Sequence, residues 1–339
     1  MSFFKLTQDI AIDLGTANTV IIHNGKIVVN APSIVALESR DGKLIAVGHK
    51  AQLMEGKTPE GIRTVRPLRD GVIADFYAAE QMIRGMIKMA FGSGRLFSPQ
   101  LRMVVGIPSG STEVEIRAVR DSSEHAGGKD VYMLYEPMAA AIGIGIDVLA
   151  PEGNMVVDIG GGSSEIAVIS LGGLVTNNSI RVAGNDLTLD IMEYMSRQHN
   201  IRVGLPTAEQ IKINVGSALT MLDNPPEDFI VRGPNKMTAL PMEVPVSYQE
   251  VAHCIEKSIS KIEAAVLKGL EETPPELYSD IVNNGIWLTG GGALLRGLDK
   301  RLKDKIGIPF HVAEDPLLSV AKGTGIALKN IENYPFLLR

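Results

Sequence analysis

The chain has 339 residues, enough for two hydrophobic cores rather than one. Its 39 acids outnumber its 33 bases for a formal charge of −6, without any block of like charge, which argues against a nucleic-acid partner. A lone cysteine, Cys254, excludes a disulfide framework within the chain, suits a reducing cytosol and reads as a small buried hydrophobe; no stretch reaches the ~20 apolar residues of a membrane span.

At the N-terminus, "MSFFKLTQD" puts its apolar pair before its one base and meets Gln8 and Asp9 at once, unlike a secretory signal, so the protein is expected to stay in the cytoplasm. Next comes "IAIDLGTANTV", residues 10–20. Ile10 to Leu14 and Val20 to Ile22 read as two buried strands joined by a tight polar turn. Asp13 closes the first strand, and a buried carboxylate is costly unless it is paired or holds a cation. Gly15 lets a ligand approach the backbone, and Thr16 and Asn18 add short polar arms that would cup a phosphate carried with a divalent metal. The same residues are also ordinary turn formers.

Residues 33–65 have short apolar segments and many turn residues, as expected of a subdomain inserted at the rim of a cleft. Over 78–91, Met82, Ile83, Met86, Ile87 and Ala90 share one helical face opposite Glu80, Arg84 and Lys88, which predicts a half-buried helix whose methionines fill a core. "LRMVVGIPSG" then reads as a strand and "STEVEIRAVRDSSEHAGG" as a helix, opened by a capping box of Thr112 and Glu115 and stopped at Gly127 and Gly128. "DVYMLYE" followed by "PMAAAIGIGI" repeats the alternation, which argues an α/β architecture.

"MVVDIGGGSSEIAVI", residues 155–169, restates the first motif: apolar strand, terminal Asp158, glycine-rich polar turn, apolar strand. Asp13 and Asp158 stand 145 positions apart (158 minus 13), about one domain length, so an internal duplication is the simplest account. Gly160, Gly161 and Gly162 free backbone N–H groups for phosphate oxygens, and Ser163 and Ser164 add hydroxyls. Residues 182–245 break the α/β rhythm and read as a second rim subdomain that changes from helices to strands near Pro225-Pro226 and Gly233-Pro234. Finally, "LTGGGALLRGL" ends a strand on Gly290 to Gly292, with a helix expected near Ala293. Neither G-x-G-x-x-G nor G-x-x-x-x-G-K-[ST] occurs, which disfavours the two commonest nucleotide folds.

Duplicated strand-Asp-Gly turns with a later triple-glycine loop resemble the actin, Hsp70 and sugar-kinase superfamily of ATPases. Within it, "IDLGTANT", "RPLRDGVIADF", "VVGIPSG", "EPMAAAIG", "MVVDIGGG", "AEQIK", "LTGGGALLRGLD" and "AEDPLLSVAKGTG" resemble the MreB family of bacterial actins along nearly the whole length. The resemblance implies a bilobed α/β fold of duplicated ribonuclease-H-like domains, 1–145 and 146–339, with the two rim subdomains around a nucleotide cleft. It implies that Gly15, Thr16, Ala17 and Asn18 hold the β and γ phosphates of ATP from one side, and Gly160, Gly161, Gly162 and Ser163 from the other. Asp13 and Asp158 would position Mg²⁺, largely through its waters. Glu209, Gln210, Ile211 and Lys212 would reach the ribose and base edge, above a floor of Gly290, Gly291, Gly292, Ala293 and Leu294.

Glu136 matches the residue that orients or deprotonates the attacking water; it would equally complement the dipole of the helix beginning at Pro137. Likewise, Glu209 and Lys212 would form a plain surface ion pair at their three-residue spacing. Three departures from the family pattern stand out: Tyr135 where a second acid is usual, and Asn185 and Thr188 in "AGNDLTLD" where acids are expected.

Two apolar tips, Phe3-Phe4 and Leu96-Phe97, with Lys5 and Arg95 beside them, would enter the headgroup region of a bilayer, many weak anchors adding up along a filament. The alternative is that Leu96 and Phe97 tuck into the domain. The resemblance further implies filaments on the inner face of the cytoplasmic membrane that organise peptidoglycan synthesis and rod shape, with RodZ, MreC and MreD as partners. The competing reading is a small-molecule kinase of the same superfamily, which would release phosphate only to an added acceptor. An Hsp70-type chaperone would need a β-rich domain after residue 339, and an FtsA-type division protein a C-terminal amphipathic helix that "ALKNIENYPFLLR", broken by Pro335, does not supply.

Overall fold

The computed structural model describes residues 7–92 and 100–339. Its first half runs β1 (Thr7–Leu14), β2 (Asn18–His23), β3 (Lys26–Pro32), β4 (Val35–Glu38), β5 (Leu44–Val47), α1 (His49–Gln52), β6 (Ile62–Val65), β7 (Leu68–Arg69), β8 (Val72–Ile73) and α2 (Phe76–Phe91). It continues with β9 (Gln100–Ile107), α3 (Glu113–His125), β10 (Gly128–Tyr135) and α4 (Glu136–Gly143). The second half runs β11 (Asn154–Ile159), β12 (Ser164–Ser170), β13 (Gly173–Ile180), α5 (Gly184–Gln198), α6 (Leu205–Val215), β14 (Phe229–Pro234) and β15 (Pro241–Val246). After these come α7 (Tyr248–Cys254), α8 (Glu256–Glu271), α9 (Pro275–Asn284), β16 (Ile286–Thr289), α10 (Leu298–Ile306), β17 (Phe310–Val312) and α11 (Ser319–Lys329).

The expected duplication is present in the wiring. One sheet has the order β10-β9-β1-β2-β3 and the other β17-β16-β11-β12-β13, each with three antiparallel strands and two added in parallel. Both faces of each sheet are covered, which is why β1 and β11 read as continuous apolar runs. Alternation along β1 sends Ile10, Ile12 and Leu14 towards α2, where Met82, Ile83 and Met86 meet them, and sends Ala11 to the opposite face. In β11, Met155, Val157 and Ile159 face α8 while Val156 faces the other way, into the cluster that contains Ala11. Asp13 shares its face with Ala11, and Asp158 with Val156. The period of two therefore aims both carboxylates at the layer between the lobes.

That layer is α4 and α11. They cross with their backbones nearly touching: a Cβ on Gly323 would lie 1.7 Å from the Ala139 carbonyl oxygen, and one on Gly143 1.9 Å from that of Ser319. From the C-terminal end of the chain, α11 packs on β1, β2 and β9 of the first sheet. The tail follows it, with Leu338 and Met133 exchanging two backbone hydrogen bonds of 2.8 and 3.0 Å. A helical period specifies that one face of α11 is buried but not which sheet buries it.

Both rim insertions are present. The first is a three-stranded sheet, β5-β4-β6, with α1; the second is α5 and α6 followed by the β14–β15 hairpin after Pro225-Pro226. The local signals hold as well. Thr112 Oγ1 accepts from the Glu115 N–H (3.3 Å) while Glu115 accepts from the Thr112 N–H (2.8 Å), and Asp75 caps α2 through the Ala78 N–H (3.0 Å), two residues ahead of the expected start. Among the described residues no helix is long and apolar enough to cross a membrane.

Candidate functional site

Two turns meet between the lobes. The β1–β2 turn brings Gly15, Thr16, Ala17 and Asn18 against the β11–β12 turn of Gly160, Gly161, Gly162 and Ser163: a Cβ on Gly161 would sit 2.8 Å from Ala17 Cβ, and one on Gly162 2.6 Å from Thr16 Oγ1. Glycine is required there because the opposing loop occupies the space of a side chain. A third turn closes over them. Between β7 and β8, Asp70 (φ 52°) and Gly71 (φ 82°) bring the Gly71 N–H to Thr16 Oγ1 at 3.0 Å, and Gly71 also lies beside Ser163. "RPLRDG" entered the sequence reading only as part of the family resemblance; its place at the cleft was not legible.

Four carboxylates, Asp13, Glu136, Asp158 and Glu165, gather at this junction. Asp13 and Asp158 have no hydrogen-bond or salt-bridge partner among the described residues. Burial pushes Asp13 up to about 7, and burial together with Asp13 and Glu165 pushes Asp158 up to about 8. Glu136, the first residue of α4, is held well above the usual carboxylate range by burial, then by Glu165, Asp13 and Asp158. The described residues contain no closed group of three or more acidic, histidine or cysteine ligands. Two buried carboxylates without a side-chain partner among the described residues fit a hard divalent ion that keeps most of its waters, rather than an all-protein cage.

The sign of the pH dependence follows. A carboxylate whose pKa is raised in the folded state binds more protons folded than unfolded, so stability falls as pH rises between its unfolded and folded values. Without ligands, the melting temperature is expected to decline from about pH 4 to about pH 8, the span between the ordinary carboxylate value and those of Asp13 and Asp158. Mg²⁺ with nucleotide is expected to flatten that decline, as scanning fluorimetry across pH would show. An unchanged slope with ligand would remove these two groups from the site.

Of the "EQIK" residues, Glu209 and Lys212 stand beside the second glycine turn. Lys212 Nζ pairs with Glu209 at 2.8 Å and donates to the Gly184 carbonyl (2.7 Å) and Thr188 Oγ1 (3.0 Å), and Thr188 in turn donates to Glu209 (2.6 Å). The ion-pair reading holds, and the pair stands beside the second glycine turn. Gly184 N–H and Asn185 N–H donate to the carbonyls of Gly160 (3.0 Å) and Gly161 (2.8 Å). Thr188 thus ties Glu209 to Lys212. Gln210 is exposed, whereas Ile211 is fully buried in the second-lobe core, so its side chain packs and does not reach the cleft.

The third glycine loop differs from expectation. No α-helix begins near Ala293; Gly291–Leu294 is a 3₁₀ turn, and α10 starts only at Leu298. Gly290 (φ 79°) and Gly292 press on the end of β11, where added Cβ atoms would lie 2.4 Å from Asp158 Oδ1 and 2.2 Å from Ile159 Cγ2. Their first role is to let this turn lie against the strand that carries Asp158. Ala293 is buried in the core and Leu294 is exposed. The four apolar tips Phe3, Phe4, Leu96 and Phe97 lie outside the described residues.

Glu165 carried no role in the sequence reading. It is 1% exposed, stands directly opposite Asp158 in the β11–β12 ladder, and is bonded by residues of both lobes. The signal was available: "SSEIAVIS" is an apolar strand with one charge in it.

Two like-wired lobes closing on paired Asp-Gly turns define an actin-like bilobed protein. The family model of the MreB/Mbl protein matches residues 7–335, and the chain belongs to that family of bacterial actin homologues. It is 44% identical over 329 residues to the cell shape-determining protein Mbl of Bacillus subtilis (strain 168), covering 97% of this chain and 98% of Mbl. It is 45% identical over 331 residues to the cell shape-determining protein MreB of Escherichia coli (strain K12), covering 96% and 94%. The crystal structure of MreB 5 of Spiroplasma citri bound to AMPPNP superposes with a TM-score of 0.89 at 38% identity, over 96% of this chain and 97% of that one. A MamK double helical filament, 20% identical, shares the fold at a TM-score of 0.79 over 96% and 99% of the two chains. The family match favours the bacterial-actin reading over the small-molecule kinase.

Proposed function

We propose that this protein binds ATP with Mg²⁺ between its lobes, hydrolyses it, and assembles into filaments on the inner face of the cytoplasmic membrane that organise cell-wall synthesis and maintain rod shape. The observation that carries the reading is the junction of two glycine turns, each headed by a buried carboxylate without a side-chain partner among the described residues. Spiroplasma citri MreB5, superposing at a TM-score of 0.89, was crystallised with ADP as well as AMPPNP, which supports a nucleotide in this cleft.

In this reading Gly15, Thr16, Ala17 and Asn18 hold the β and γ phosphates on one side, and Gly160, Gly161, Gly162 and Ser163 on the other. Asp13 and Asp158 would hold Mg²⁺, which when bound would neutralise charge on the nucleotide. Glu136 orients the attacking water and accepts its proton. Glu209, Gln210 and Lys212 stand at the ribose and base edge, with Gly290 to Leu294 beneath the adenosine. Phe3, Phe4, Leu96 and Phe97 reach the bilayer, and RodZ, MreC and MreD link the filament to the synthetic machinery.

The test is electron microscopy on lipid monolayers with ATP and Mg²⁺, beside phosphate release without added acceptor. Paired filaments on lipid, lost in a Leu96→Ser, Phe97→Ser double variant, are the expected result. ADP formed only after adding a sugar or acetate, with the phosphoryl group on that acceptor and no filaments, would sink the cytoskeletal reading.

A further inference from the structure

The duplication supplies a control for every residue in the two half-sites. Asp13 pairs across β1–β2 with Val20, whereas Asp158 pairs across β11–β12 with Glu165. Val20 packs in the layer between the lobes, as an apolar residue should. Glu165 holds the equivalent place as a fully buried acid beside another acid, an arrangement that is destabilising unless other groups compensate it.

The compensating groups come from both lobes. Ser109, in the loop after β9 of the first sheet, gives Glu165 Oε2 its backbone N–H (3.1 Å) and its hydroxyl. From β13 of the second sheet, the Ser179 hydroxyl donates to Glu165 Oε1 at 2.7 Å. Asn177 completes the cluster, its Nδ2 donating to the Ser109 carbonyl at 3.0 Å and its Oδ1 lying 2.5 Å from Ser109 Oγ. One hydroxyl proton is thus shared between a carboxylate and an amide oxygen. The lobes approach closely here: a Cβ on Gly110 would sit 2.7 Å from that of Ser179.

We propose that Glu165, Ser109, Asn177 and Ser179 form an interlobe latch, with Glu165 a positioning residue that sets the distance between the first lobe's water-orienting glutamate and the second lobe's glycine turn. The geometry explains why here. Glu136 follows β10, which runs beside β9, and a Cβ on Gly106 of β9 would lie 3.7 Å from Glu136 Cγ. Holding the loop after β9 against β12 and β13 therefore holds Glu136 relative to Gly160, Gly161 and Gly162. Nucleotide binding is spread over several contacts, but in-line attack depends on placement within a fraction of an ångström.

The inference rests on the ATPase reading above. Glu165→Gln and Ser109→Ala are each expected to lower kcat for phosphate release about tenfold or more, with KM within about twofold, because ~1 Å of misplacement costs ~10²-fold in rate. Because the two groups act as one unit, the double variant should be no slower than the slower single variant. Ser123→Ala is the structural control. It removes another buried hydroxyl bond of the first lobe, from Ser123 Oγ to the Val119 carbonyl (2.8 Å), and should lower the melting temperature without changing kcat. If Glu165→Gln does not fold, Ser109→Ala and Gly110→Ala carry the test. Wild-type kcat in these variants, multiplying losses in the double variant, or an equal kcat loss in Ser123→Ala would overturn the latch while leaving the ATPase reading intact. A wild-type chain that releases no phosphate at all overturns both.

Discussion

Glu136→Gln is expected to slow phosphate release from ATP by about 10²–10⁴-fold, the usual contribution of a positioned acid or base, with nucleotide affinity within a few-fold of wild type. The substitution keeps the shape and the hydrogen-bonding reach of the side chain but removes its ability to take a proton. Burial, and then Glu165, Asp13 and Asp158, hold the Glu136 carboxyl well above the ordinary range, which makes it a strong proton acceptor. As a base it works deprotonated, so the wild-type rate should rise as pH climbs through its raised pKa, and the variant's residual rate should lack that rise. Removing one of four mutually repelling carboxylates should leave the ligand-free variant at least as stable as wild type. Single-turnover hydrolysis across pH, with melting temperatures alongside, measures both. A near-wild-type rate in Glu136→Gln would show that water is activated elsewhere and leave Glu136 as a helix-terminus acid.

Gly323→Ala is expected to destabilise the protein by about 3 kcal/mol or more, or to abolish soluble expression, the upper range of core overpacking. An added methyl would lie 1.7 Å from the Ala139 carbonyl oxygen, a backbone atom that no rotamer change can move aside. The helices would have to separate, and α4 and α11 together fill the layer between the two sheets. Gly143→Ala should act alike from the other helix, against the Ser319 carbonyl. Gly61→Ala is the control: nothing lies within 4 Å of its added Cβ and its φ is not positive, so an effect within about 0.5 kcal/mol is expected. Equal melting temperatures for Gly323→Ala and Gly61→Ala would mean that the crossing can widen without cost.

The relation between sequence and structure is uneven in an orderly way. Signals carried by consecutive residues transferred well: the apolar runs of β1 and β11, the Thr112–Glu115 box, the half-buried α2, and the turns at Gly15 and Gly160. Signals needing a partner far along the chain did not. The sequence of α11 shows that it is buried without showing that it returns to the first sheet, and Ile211, inside a matching motif, proves to be core packing. The triple glycine at Gly290 marks a close approach in the sequence, and only the fold shows that the atoms nearest Gly290 and Gly292 belong to Asp158 and Ile159.

By itself the sequence determined the duplicated α/β plan, the two Asp-Gly turns and the two rim insertions, because strand period, turn chemistry and domain spacing are local properties written in neighbouring residues. Only the tertiary structure decided that the two turns touch, that α4 and α11 cross on bare backbone, and that Glu165 is held by Ser109 and Ser179. Ser109 and Glu165 lie 56 positions apart, in different lobes. Whether a buried carboxylate is stranded or satisfied depends on groups the fold brings to it, and no window along the chain contains them.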